Sequence, residues 1–146
     1  MKVNEIISVE QQFNLPADRI WNAITNINEM KQWFFSNIES FKPEVGFKTE
    51  FKVNSQDRIF THLWKITEVE PFVKIVYNWK YDTYPGDSFV HFELFKKEHS
   101  TILKVTSKVI ESFPKNVPEF KSESCREGWN YFIKKNLKNY LENKEY

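Results

Sequence analysis

The chain has 146 residues and a mass of 17.7 kDa, with 21 Lys and Arg against 20 Asp and Glu, a formal net charge of +1. That balance excludes a charge-driven nucleic-acid binder and a polybasic membrane binder, while 40% hydrophobic residues exclude a disordered chain. The length suits one domain spanning 1–146, and 14 Phe, 5 Trp and 6 Tyr mark an interior rich in rings.

Residues 3–13 alternate loosely and predict a strand with Ile7, Val9 and Phe13 on one face. Pro16 opens a helix carrying Ala17, Ile20, Trp21, Ile24 and Ile27 at helical spacing, since its missing N–H costs nothing in a first turn. Asn28 is placed to cap a second short helix bearing Met30, Trp33 and Phe34. From about 46 to 110 the apolar period falls to two. Five strands follow, at 46–53, 59–70, 74–81, 88–97 and 100–110, separated by turn signals such as Tyr84-Pro85-Gly86-Asp87. Strands so close in sequence pair antiparallel through hairpins. A long helix over roughly 117–143 closes the chain, with Asn116 and Glu119 at capping-box spacing and Pro118 in the first turn. Its apolar stripe is Cys125, Trp129, Phe132, Ile133, Leu137, Tyr140 and Leu141. Gly128 interrupts it, which suggests a close approach of helix to sheet.

The chemistry-bearing residues are few. His62, His91 and His99 make no metal motif, with His62 and His91 on opposite strand faces and His99 in a turn. No nucleophile-elbow sequence occurs, and three glycines leave no phosphate-cradling loop, so no cofactor or metal is implied. Cys125 sits on the helix stripe and reads as a buried structural thiol; a single cysteine also rules out an internal disulfide. With neither a signal-peptide run nor about 18 consecutive apolar residues for a membrane span, a cytoplasmic location is expected. His62, between Phe60 and Trp64 on one strand face, reads either as a neutral core histidine or as a proton partner for a ligand. Tyr77 and Tyr81 are ligand-contact candidates because a buried phenol needs a partner.

A strand, two short helices, a run of antiparallel strands and one long amphipathic helix imply an α+β domain, because only that last helix can cover a curved sheet's concave face. This is the order of the START-like (SRPBCC) helix-grip superfamily. The segment FNLPADRIWNAITNINEMKQWF (13–34) resembles the opening of the heat-shock-protein ATPase activator homologue-like family within it. Glu44-Val45-Gly46-Phe47 resembles that family's glycine lead-in to the next strand, and Ile66-Thr67-Glu68-Val69-Glu70-Pro71 with Val76-Tyr77-Asn78-Trp79 its central hairpin. Thr101-Ile102-Leu103-Lys104-Val105 resembles its penultimate strand, and Glu127-Gly128-Trp129 with Leu137 and Leu141 its terminal helix. The chain departs from the pattern at Asp57-Arg58-Ile59-Phe60-Thr61-His62, where the family carries a glycine-rich turn and a small residue.

The resemblance implies a helix-grip fold: a strongly curved sheet wrapped around the C-terminal helix, often with a cavity between them. Three functions follow as expectations: a non-enzymatic binder of a small hydrophobic or aromatic ligand, a chaperone ATPase-activating cofactor, or a pocket enzyme of cyclase or hydrolase type with His62 or Tyr77 as acid/base. The expected binding wall is Trp33, Phe51, His62, Trp64, Tyr77, Trp79, Phe92, Val105 and Trp129. The cavity is expected to open between Met30, Trp33 and Phe34 of the second short helix and the terminal helix. The expected partner is the small hydrophobic ligand, with a chaperone as the alternative, no nucleic acid and no membrane span, in a monomer or weak homodimer.

Overall fold

The computed structural model describes residues 1–142. Strand β1 (Ile6–Phe13) leads into helices α1 (Ala17–Thr25) and α2 (Ile27–Trp33). Strands β2 (Lys48–Ser55), β3 (Arg58–Glu70), β4 (Lys74–Tyr81), β5 (Asp87–Lys96) and β6 (Thr101–Glu111) follow. A 3-10 turn (Pro118–Phe120) precedes helix α3 (Ser122–Trp129), which runs on through Asn130–Leu137 into α4 (Lys138–Glu142) as a terminal helix of 21 residues. The six strands form one antiparallel sheet in the order β1-β6-β5-β4-β3-β2. The fold is therefore the α+β, helix-grip type: a curved open sheet holding a C-terminal helix.

Alternation fixes which residues face the helix. On β3 the inward row is Phe60, His62, Trp64 and Ile66; on β4 it is Ile75, Tyr77 and Trp79. On β5 and β6, Val90, Phe92, Leu94, Leu103, Val105 and Val109 are buried. Register sets Trp64 opposite Trp79, Phe51 opposite His62 and His62 opposite Tyr81, so rings meet across strands as well as along them. The outer edge strand β2 alternates Lys48, Glu50 and Lys52 toward solvent, a charge pattern that discourages pairing with another chain.

The terminal helix buries Trp129, Ile133, Leu137 and Leu141, spaced four apart each time. In an α-helix such a ladder drifts about 40° around the axis per step. The segment Asn130–Leu137 is wound as a π-helix, whose wider turns drift the other way, and the four side chains stay on the sheet. Burying Ile133 and Leu137 completely contributes about 1.5–3 kcal/mol each.

Several expectations change at this level. The single helix over 117–143 is a separate 3-10 turn followed by a helix from Ser122, and residue 143 lies outside the described residues. Asn26 rather than Asn28 caps α2, its side chain accepting from the backbone N–H groups of Asn28 (3.0 Å) and Glu29 (3.3 Å). Glu119 makes no capping box with Asn116: it is drawn to Arg58 of β3, because a guanidinium offers two charge-assisted bonds where a cap offers one. Gly128 makes no close approach either, since a Cβ placed there would meet nothing within 4 Å.

Candidate functional site

The buried side chains form two clusters. The larger lies between the sheet and the helices; the smaller is Phe60, Val109, Phe113, Val117 and Phe120, with Met1, Tyr81 and Tyr84 against it. A partly enclosed cavity of about 150 Å³ lies where the two meet. Its ring-bearing walls are Phe35, Trp79, Trp129 and Phe132 from the larger cluster's side and Phe113 and Phe120 from the smaller. Tyr81 lines it from β4, and Gly128 lines it from the helix, where the missing side chain leaves open space.

Among the described residues the polar lining is sparse and almost wholly uncharged: His62, Tyr81, Ser88, Ser107 and Cys125, with Glu119 as the one side-chain carboxylate. His62 is buried, stacked on Phe51 at 4.8 Å and edge-on to Tyr81 at 4.8 Å. Removal from water pushes its pKa down from 6.5 to about 4, so the ring is neutral at pH 7. Its Nδ1 lies 3.2 Å from the Phe60 carbonyl oxygen, which can only accept. The proton therefore sits on Nδ1, and Nε2 presents a lone pair. The Tyr81 hydroxyl accepts from Trp79 Nε1 at 3.0 Å and keeps its own proton to donate; burial holds its pKa up. Ser88 Oγ donates to the Trp79 carbonyl at 2.7 Å, which leaves its lone pairs free to accept. Burial pushes the Cys125 thiol up to about 11, so it is a poor nucleophile at neutral pH.

Glu119 is held by Arg58 at 2.8 and 3.0 Å in a two-pronged pair and by Ser55 Oγ at 2.7 Å. The Arg58 bonds hold its carboxyl down at about 2. This clamp ties the β2–β3 hairpin to the 3-10 turn beside the cavity. Among the described residues no group of three or more His, Cys, Asp or Glu is placed to hold a metal ion.

Of the nine wall residues expected from the sequence, the structure brings His62, Trp79 and Trp129 together at the cavity. Trp33, Phe51, Trp64, Tyr77, Phe92 and Val105 are buried in the larger cluster and do not line it. Their faces are as expected, but neighbouring rings fill the space in front of them. Phe34 stacks on Trp33 at 4.7 Å and meets Phe132 edge-on at 4.9 Å; Phe41 stacks on Tyr77 at 5.7 Å. The expected opening between α2 and the terminal helix is likewise closed. Met30, Trp33 and Phe34 are buried there, and Asn136 Nδ2 donates to the Trp33 carbonyl at 3.2 Å. The cavity lies instead under α3, next to the 3-10 turn. Sequence reasoning missed Phe35, Ser88, Phe113, Phe120 and Phe132. Phe113 and Phe120 follow the last strand in a segment without periodicity; Phe132 was visible on the helix stripe.

Among the described residues no helix is long and apolar enough to cross a membrane. A comparison with curated proteins finds no match. Solved structures match over most of the chain. DynU16, a protein from the dynemicin biosynthetic locus, is 21% identical with a TM-score of 0.74; the match covers 95% of this chain and 48% of DynU16, so this chain spans about half that protein's length. The Aha1 dimer of Colwellia psychrerythraea is 21% identical with a TM-score of 0.74 over 94% of this chain and 96% of that one. An HSP90 activator from Plasmodium falciparum is 23% identical with a TM-score of 0.68 over 92% and 91%. At these identities the likeness is one of fold. The sequence model of one family, however, matches residues 14–142, from the residue after β1 to the end of α4. The chain thus belongs to the Activator of Hsp90 ATPase homolog 1-like protein family.

Proposed function

We propose that the protein binds a small hydrophobic or aromatic ligand, without chemistry, in the cavity between the curved sheet and the terminal helix. The observation that carries this reading is the cavity itself: about 150 Å³, walled by rings, with its polar groups neutral or already paired. Sites for small molecules have this character, apolar walls with a few placed polar groups. A cavity of roughly 150 Å³ holds a guest of benzene size. Native mass spectrometry of the purified protein, joined to displacement of an environment-sensitive dye by small ring compounds, tests it. A retained or exchangeable apolar guest is expected. An interior that takes up neither dye nor any ring compound rejects the reading.

The family match favours a second reading, stimulation of a chaperone ATPase. It requires an outer surface for a large partner rather than a cavity. The ATPase rate of an Hsp90-type chaperone, measured with and without saturating protein, decides it: an unchanged rate rejects this role and leaves ligand binding untouched.

A further inference from the structure

Building on the ligand-binding reading, we infer that the cavity selects an uncharged ring bearing one hydroxyl group, whose proton is accepted by His62 Nε2. His62 Nδ1 is committed to the Phe60 carbonyl, which leaves Nε2 as an acceptor. Nε2 has no partner among the described residues, yet the one fully enclosed side-chain nitrogen or oxygen without a partner among them is Trp64 Nε1. Nε2 is therefore not sealed in protein, and His62 is among the residues that line the cavity, which is where we place that lone pair. Tyr81 supplies the complement. Its oxygen accepts from Trp79 Nε1, so its own proton is free for the lone pairs of the same ligand hydroxyl. One acceptor and one donor on adjacent strands, at directly paired positions, match the two hydrogen-bonding capacities of a hydroxyl.

The rest of the lining rejects charge. Among the described residues no Arg or Lys side chain lines the cavity; the Met1 amine is bound to the Phe120 carbonyl at 2.7 Å, and the Glu119 carboxylate would repel an anion. An ammonium ligand would meet a Glu119 already paired with Arg58. A purely apolar guest would leave the Nε2 lone pair and the Tyr81 hydroxyl proton without partners, the same kind of cost that a purely apolar cavity imposes on a phenol.

Phenol, toluene and benzoate separate these cases, because phenol and toluene share a shape and benzoate adds charge. Binding is read near pH 7 by calorimetry or saturation-transfer NMR. For the unaltered protein, phenol is expected to bind more tightly than toluene and about tenfold more tightly than benzoate. His62→Phe should keep toluene and weaken phenol about tenfold, whereas His62→Gln, which restores an acceptor, should keep phenol. Toluene bound as tightly as phenol or more tightly by the unaltered protein, benzoate equal to phenol, or an undiminished phenol affinity in His62→Phe would overturn the inference. The order in the unaltered protein decides on its own should His62→Phe fail to fold. Toluene binding without a phenol preference sinks this inference and leaves the ligand-binding reading standing; binding of none of the three sinks both.

Discussion

Lowering the pH from near 7.5 to near 5 is expected to cost the fold about 2 kcal/mol through His62 alone. In the folded protein the ring titrates at about 4, against 6.5 for an exposed histidine, because burial among Phe35, Phe51, Trp79 and Tyr81 strips water from the imidazolium. The unfolded chain therefore takes up the proton first. The contribution is fully present above 6.5, declines as the pH falls, and levels off below 4, where the folded ring is protonated too. With one pKa unit worth about 1.4 kcal/mol, the linkage integral between those two pH values gives about 2 kcal/mol. Urea unfolding measures it: at a typical slope of about 2 kcal/mol per molar, the midpoint falls by about 1 M. Carboxylates also titrate at the acid end, so the informative quantity is the difference between the unaltered protein and His62→Gln. Parallel pH profiles for the two would show that the ring is not held neutral, and the acceptor role of Nε2 would fall with it.

Three further outcomes are expected. Gly128→Ala should raise stability by up to about 1 kcal/mol, since the added methyl meets open space and alanine suits a helix, while Gly128→Leu should fold yet lose uptake of ring compounds; both are read by thermal unfolding and dye displacement. Gly86→Ala should destabilise by about 1–3 kcal/mol, because φ there is +119° and a Cβ would lie 2.2 Å from the Phe113 ring; a variant as stable as the parent in urea contradicts that packing. The Glu119 carboxyl, held near 2 by Arg58, contributes stability above its ordinary 4.5 that is lost as the pH falls toward 2. Glu119→Gln should flatten the acid limb of the stability profile in that window, and an unchanged limb would show that the clamp carries no weight.

The strands and their faces were legible because alternation is strict where one side of a sheet is buried: Trp64, Tyr77, Trp79 and Phe92 all lie inward as the pattern requires. The terminal stripe was legible for the same kind of reason. The cavity's position was not. A periodic pattern says which way a side chain points and not which of two facing rings fills the space. Phe34 and Phe132 close one end of the groove, while Gly128 and the spacing of Phe113 and Phe120 leave the other open. The contact that closes the groove joins Phe34 to Phe132, far apart in the chain, where no local pattern can register it. The π winding escaped notice because a four-residue ladder looks like an ordinary helix until its drift is summed over three steps. Glu119 was misassigned since its partner, Arg58, lies 61 residues away.

The division of the interior into two apolar clusters has a kinetic consequence. Among the described residues the lesser one holds five buried side chains and rests on the 3-10 turn, the Arg58 clamp and the first residue of the chain. Fraying of so small a unit takes only a fraction of the free energy of global denaturation. Local opening at that end is thus expected to be a breathing motion of the lesser cluster, and substitutions at Glu119 or Phe120 should change its rate while the tryptophan-rich interior on the far side stays intact.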